Sequence, residues 1–171
     1  MNDQVPSLLI FATSLDPNSK SYILCQSTKE ICDKNGIKNE LIDLREFQLP
    51  NAGRAGSFNN PAISELKDKI SSATHIFFGC AIYNYDVSSS AKNLVELVGN
   101  SLTEKTVGFL CCAGGDGSYM SVMAFANSLM LDFRCWIIPR FVYATDKSFI
   151  AHGTIESDTA KRIAELVGEI R

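Results

Sequence analysis

Five short apolar runs punctuate the chain, separated by helical stripes and turn-rich loops. The runs are Ser7-Leu8-Leu9-Ile10-Phe11, Asn39-Glu40-Leu41-Ile42-Asp43-Leu44, Ile76-Phe77-Phe78-Gly79-Cys80, Thr106-Val107-Gly108-Phe109-Leu110-Cys111 and Cys135-Trp136-Ile137-Ile138. Near-continuous apolar strands are buried on both faces, and strands joined through helices run parallel. Ile23, Leu24, Ile31 and Cys32 recur at helical spacing between Ser21 and Asn35, and Gly36 supplies a left-handed stop. Pro61 suits the first position of a helix reaching about Ser71. Ala91, Leu94, Val95 and Val98 form the stripe of a third helix, with Gly99 past its end. A fourth helix is expected from Ser118 to about Asp132, apolar nearly all round and so covered. The last carries Ile163, Leu166, Val167 and Ile170 on one stripe.

This alternation predicts an α/β fold, a doubly wound five-stranded parallel sheet with helices on both faces. At 171 residues, the whole of 1–171 reads as a single domain with a full hydrophobic core. Two doubly wound orders compete. Five strands ending in a helix, with none left for a sixth, favour the flavodoxin-like order 2-1-3-4-5 over half of a dinucleotide fold. Ligands of such sheets lie beyond the C-terminal strand ends, here between the first and third strands. The loops after strands one, three and four are therefore where function is expected.

A net charge of -3, without a basic run, gives no reason to expect nucleic acid. No apolar segment approaches the roughly 20 residues that cross a bilayer. The start, MNDQVPSLLIFATS, lacks the basic region of a signal peptide, so a reduced, cytoplasmic setting is expected. The six cysteines have no CxxC spacing, and several sit in apolar runs as small hydrophobes. The vicinal pair Cys111-Cys112 would point to opposite faces of a strand, which disfavours a disulfide. His75 opens a strand and His152 lies in a loop, at no spacing that gathers them with cysteines, so no metal site is expected.

After the first strand comes Ala12-Thr13-Ser14-Leu15-Asp16-Pro17-Asn18-Ser19-Lys20-Ser21. The hydroxyls of Thr13, Ser14, Ser19 and Ser21 converge on a helix start, where free N–H groups favour an anion such as phosphate. Ordinary helix caps would account for the same residues. The loop is neither a Walker A motif nor GxGxxG, which argues against nucleotide hydrolysis and the usual dinucleotide fingerprint. After the third strand comes AIYNYDVSSSAKN, Ala81 to Asn93. There Tyr83 and Asn84 suit a flat heteroaromatic ligand. A plain turn, with Ser88 to Ser90 capping the next helix, would explain the serines but not the Tyr-Asn-Tyr cluster. After the fourth strand, Gly114-Gly115-Asp116-Gly117 allows close backbone approach or a tight turn. A phosphate at one end and a planar ring at the other describe a mononucleotide of flavin type.

These loops resemble those of the NAD(P)H-dependent FMN reductases of flavodoxin-like fold. That family's first loop has the form GS-x-R-x-x-S, and Ser14 and Ser19 stand in its serine places. Its third loop, PEYNGSIPGALKN, aligns without a gap and shares Tyr83, Asn84, Lys92 and Asn93. Asp43-Leu44-Arg45 through Leu49-Pro50 and the glycine loop also have counterparts, so the likeness covers most of the chain. The chain departs from the pattern at Asp16, in the arginine's place, and at Ala81, Tyr85 and Ser88, in those of Pro, Gly and Pro.

The resemblance implies FMN as cofactor, its phosphate on Ser14, Ser19, Ser21 and the Thr13 region. It places the flavin ring against Ala81, Ile82, Tyr83 and Asn84, and Gly114, Gly115, Asp116 and Gly117 near its pyrimidine side. It implies NADPH or NADH as reductant and a small-molecule electron acceptor: a flavin, quinone, azo compound or metal ion. No catalytic acid or base is needed, because the flavin carries the chemistry. A homodimer or homotetramer is expected on the same basis. An electron carrier like flavodoxin and a non-enzymatic module of the same fold are the alternatives.

Overall fold

A computed structural model describes residues 5–150 and 153–170. The elements follow in the order β1 (Ser7–Ala12), α1 (Lys20–Lys34), β2 (Lys38–Asp43), α2 (Pro61–Ser72), β3 (His75–Tyr83), β4 (Asp86–Val87), α3 (Ser89–Val98) and β5 (Thr106–Cys112). Then come α4 (Val122–Phe133), β6 (Trp136–Ile137), β7 (Val142–Ala144), β8 (Phe149–Ile150), β9 (Thr154–Ile155) and α5 (Ser157–Val167). The main sheet runs β2-β1-β3-β5-β6, all parallel, which is the expected 2-1-3-4-5 order once the β4 hairpin strand is set aside.

Side-chain alternation divides the core between the two faces. Leu9, Phe11, Ile76, Phe78, Val107, Phe109 and Cys111 pack with α2, α3 and α4. Leu8, Ile10, Phe77, Leu110 and Cys112 pack with α1 and α5. Cys111 and Cys112 thus take opposite faces, as expected, and all six cysteines are buried. On the first face Phe11 stacks on Phe78 at 5.7 Å, and Phe125 of α4 meets Phe78 edge-on at 5.5 Å. Each fully buried phenylalanine contributes about 2–3 kcal/mol. On the second face Gly79 lets α1 approach, because a Cβ there would lie 2.1 Å from the Cys25 sulfur. That close approach brings the start of α1 down onto the sheet's C-terminal edge.

Three elements differ from expectation. The fifth strand is broken: β6 pairs with the start of β5, and β7 resumes pairing with Leu110 to Cys112. Pro139, which has no N–H for a ladder, lies in the gap. The fourth helix starts at Val122, after a short turn at 116–118, and is not covered all round. Met123, Met130 and Leu131 are 43%, 40% and 74% exposed. β8 and β9 form a small antiparallel hairpin outside the main sheet, which the apolar pattern did not show.

Candidate functional site

Thr13 anchors the first loop to the third strand. Its N–H and its hydroxyl both donate to the Gly79 carbonyl, at 3.0 and 2.9 Å. The Thr13 side chain is therefore turned into the sheet edge, away from the space that the other buried hydroxyls of this loop face. Ser19 caps α1: its Oγ accepts from the Tyr22 N–H at 3.2 Å and lies 2.9 Å from the Ser21 hydroxyl. The first-turn amides have no intrahelical acceptors. Those of Lys20 and Ser21 have no protein acceptor among the described residues. Ser14, Ser19 and Ser21, all buried, face a cavity of about 220 Å³ together with Asp16, Asn18 and Lys20. On its other side stand Ala81, Ile82 and Tyr83 from β3, and Cys112, Ala113 and Gly114 from the end of β5.

The loops expected to converge thus do so at one cavity, though not through every expected residue. Ala81, Ile82 and Tyr83 belong to β3 itself. The chain then folds back, with Ile82 opposite Val87 and Tyr83 opposite Asp86. The two residues of this hairpin turn, Asn84 and Tyr85, are left-handed, with φ of 50° and 62°. Asn84 is common in such turns, where glycine usually follows it. A tyrosine in the second position costs roughly 1–2 kcal/mol. Asn84 is exposed at the turn and does not line the cavity. Ser88 does not cap α3 through its side chain, contrary to expectation. Instead Ser90 donates its hydroxyl to the Thr13 carbonyl, tying the third loop to the first.

Of the glycine loop, only Gly114 lines the cavity. The Gly115 carbonyl accepts from the Tyr143 hydroxyl, and Asp116 pairs with Lys147 at 3.3 Å. Gly117 lies further out, near the Tyr85 hydroxyl. Asn93 Oδ1 accepts from the Ala52 N–H at 2.8 Å, and its Nδ2 donates to the Pro50 carbonyl at 3.0 Å. Its place in the third-loop pattern is explained by loop anchoring. A larger space of about 450 Å³, floored by Leu44, Phe47 and Leu49, lies on the other side of the first loop. Ser89 and Ser90, at the start of α3, also line it, but beside an apolar floor and Glu96, whereas the smaller cavity gathers three buried serines at the start of α1 and is the better anion site.

Charge in the cavity is mixed. Asp16 accepts from the Asn18 N–H at 2.8 Å, and Asp146 pairs with Lys20 at 2.8 Å. That hydrogen bond and the charge of Asp146 raise the pKa of Lys20, which stays cationic beside the serines. Burial pushes the Cys112 thiol up to about 11, so it presents a neutral S–H to the cavity. The three buried hydroxyls, the free amides and one ammonium fit a phosphate, while Asp16 and Asp146 oppose it. Lys20, Asp146 and Cys112 were not among the expected residues. Lys20 had a signal, the first position of a helix flanked by serines, whereas Asp146 lies 126 residues away from it.

His75, at the opposite end of β3, is buried, with Nδ1 2.8 Å from the Thr74 hydroxyl, and burial lowers its pKa. His152 lies outside the described residues. Among the described residues no cluster of His, Cys, Asp and Glu could hold a metal, and no helix is long and apolar enough to cross a membrane.

The family model described as NADPH-dependent FMN reductase matches residues 6–149. No curated protein matches the chain. Among solved structures, an oxidoreductase from Corynebacterium diphtheriae superposes with a TM-score of 0.79 at 17% identity, over 98% of this chain and 96% of that one. A flavoenzyme NAD(P)H:(acceptor) oxidoreductase from Paracoccus denitrificans gives 0.78 at 18%, over 97% and 95%. An FMN-dependent NADH-azoreductase from Bacillus anthracis, in complex with FMN, gives 0.67 at 13%, over 95% and 98%.

Proposed function

Because this chain belongs to the NADPH-dependent FMN reductase family, we propose that its serine-lined cavity holds the phosphate end of FMN and that Tyr83 and Gly114 border the flavin ring. The enzyme is an FMN-dependent oxidoreductase that uses a nicotinamide nucleotide as reductant. One observation carries the site assignment: Ser14, Ser19 and Ser21 are buried around the free amides of α1, in a cavity that Tyr83 and Gly114 close on the other side. At about 220 Å³ the cavity is smaller than the ~300 Å³ and upward typical of ligand pockets, which favours the phosphate end inside and the ring at the open rim.

In this reading the serine hydroxyls and the Lys20 and Ser21 amides donate to phosphate oxygens. Lys20 supplies the positive charge that Asp16 does not, and Asp146 keeps that ammonium in place. Tyr83, 55% exposed, offers an aromatic surface at the rim. The Cys112 thiol stays protonated and takes no part as a nucleophile. Bound FMN would relay a hydride from nicotinamide to the acceptor. No side chain in the cavity is assigned as an acid or base. The acceptor is a small molecule; a flavin, a quinone, an azo compound and a metal ion all fit the family's chemistry.

The exposed apolar side of α4 supports a homodimer or homotetramer through that helix. The purified protein's absorbance tests the main reading. A flavin spectrum, released as FMN on denaturation and bleached by NADH or NADPH, supports it. Bound flavin that neither nucleotide reduces points to an electron carrier. Protein that stays colourless after incubation with excess FMN rules the reading out.

A further inference from the structure

Tyr85 is placed at odds with local preference. Its φ of 62° is a left-handed value that glycine would take without strain. The strain is not offset by packing, since Tyr85 is 71% exposed. Its side chain instead reaches across to the loop after β5, where its hydroxyl would lie 3.7 Å from a Cβ at Gly117. Asn84-Tyr85 is the tip of the β3–β4 hairpin, and Gly117 lies three residues beyond Gly114. The tyrosine therefore spans the two loops outside the rim formed by Tyr83 and Gly114.

We infer that Tyr85 is a specificity-determining residue, a bar across the mouth of the crevice that admits one-ring acceptors and obstructs larger aromatic ones. The inference rests on the flavin site proposed above. A ring lying between the two loops narrows the opening without lining the serine cavity, so it selects by size at little cost to cofactor binding. A strained, exposed side chain whose hydroxyl reaches toward the facing loop fits a functional role better than a folding one.

The test begins with FMN titration of the wild type, Tyr85→Gly and Tyr85→Phe. Methyl red, a two-ring azo dye, is then titrated against each FMN-loaded oxidised protein without reductant. Tyr85→Gly is expected to bind methyl red about tenfold more tightly than wild type, and Tyr85→Phe, which keeps the ring, close to wild type. The ratio of kcat/KM for methyl red to that for benzoquinone should rise by about the same factor in Tyr85→Gly. The cofactor-free Tyr85→Gly protein should also melt at a higher temperature, because glycine relieves the turn. Equal methyl red affinity in wild type and Tyr85→Gly, with FMN bound to both, overturns the inference alone. Failure of the wild type to bind FMN overturns the site itself, and the inference with it.

Discussion

Arg45 donates from Nη1 to the carbonyl oxygen of Pro17 at 3.1 Å, which ties the end of β2 to the loop that enters α1. The same guanidinium holds both oxygens of Asp43 from Nε at 2.9 Å and lies over the Tyr22 ring at 4.4 Å. An arginine outside the first loop thus braces that loop from behind, while Asp16 occupies the family's arginine place within it. Its fork and planarity suit several acceptors at once, which a lysine could not match.

Arg45→Met should loosen the serine loop and weaken FMN binding by about tenfold, the scale of one charge-assisted hydrogen bond. Riboflavin, which lacks the phosphate, should lose much less. Comparing the two dissociation constants by fluorescence titration checks this. Equal losses for both ligands would mean that Arg45 supports the whole fold rather than the phosphate loop.

Burial alone would raise the pKa of Asp43, but the hydrogen bonds and charge of Arg45 outweigh it and hold the carboxyl below its usual range. The folded pKa is then lower than the unfolded value of about 3.9. The stability this provides is present above about pH 4 and is lost as pH falls through the folded pKa. Urea unfolding of wild type and Asp43→Asn should show a constant gap from pH 7 to about 5 that shrinks below about 4. A gap unchanged at pH 3 would contradict the assignment.

Ser14→Ala and Tyr83→Ala should each weaken FMN binding by more than about tenfold. Tyr83 is more than half exposed, so its removal should leave the unfolding midpoint of the FMN-free protein near wild type. Unchanged FMN affinity in both variants would place the site elsewhere.

Gly79→Ala should destabilise the protein by about 1–3 kcal/mol through overpacking, because its Cβ would meet the Cys25 sulfur. Adding Cys25→Ala removes that sulfur and should recover part of the loss. In a double-mutant cycle the two changes should therefore couple favourably. Strict additivity would show that the backbone contacts at 3.3 and 3.4 Å, to Phe11 and Ser21, set the cost instead.

Leu131→Glu on the exposed side of α4 should shift the protein to a lower mass in sedimentation velocity, since a charge in a dimer interface goes unpaired. Its thermal midpoint at high dilution should match wild type, because Leu131 packs on little of its own chain. An unchanged mass above that of a monomer would move the interface to another face.

The sheet and its order could be read from the chain because burial on both faces writes itself into local composition. Runs such as Ile76 to Cys80 and Val107 to Cys111 leave few other solutions, and the helical stripes between them set the crossovers. The serine loop was readable for the same reason, since hydroxyls at a helix start carry a local meaning. The hairpin that places Asn84 and Tyr85 was not, because AIYNYDV continues β3 to Tyr83 before turning back. Nor was the break at Pro139, where β7 resumes the fifth strand.

By itself, then, the sequence determined the layers, the strand order and the three loops that meet at the sheet's C-terminal edge, because hydrophobic period and turn chemistry act over a few residues. The tertiary structure alone decided which loop residues face the cavity. It turned Thr13 inward to Gly79, brought Asp146 to Lys20 across the fold and laid Tyr85 toward Gly117. Those outcomes depend on distances between residues far apart in sequence, which close only when the whole sheet is assembled.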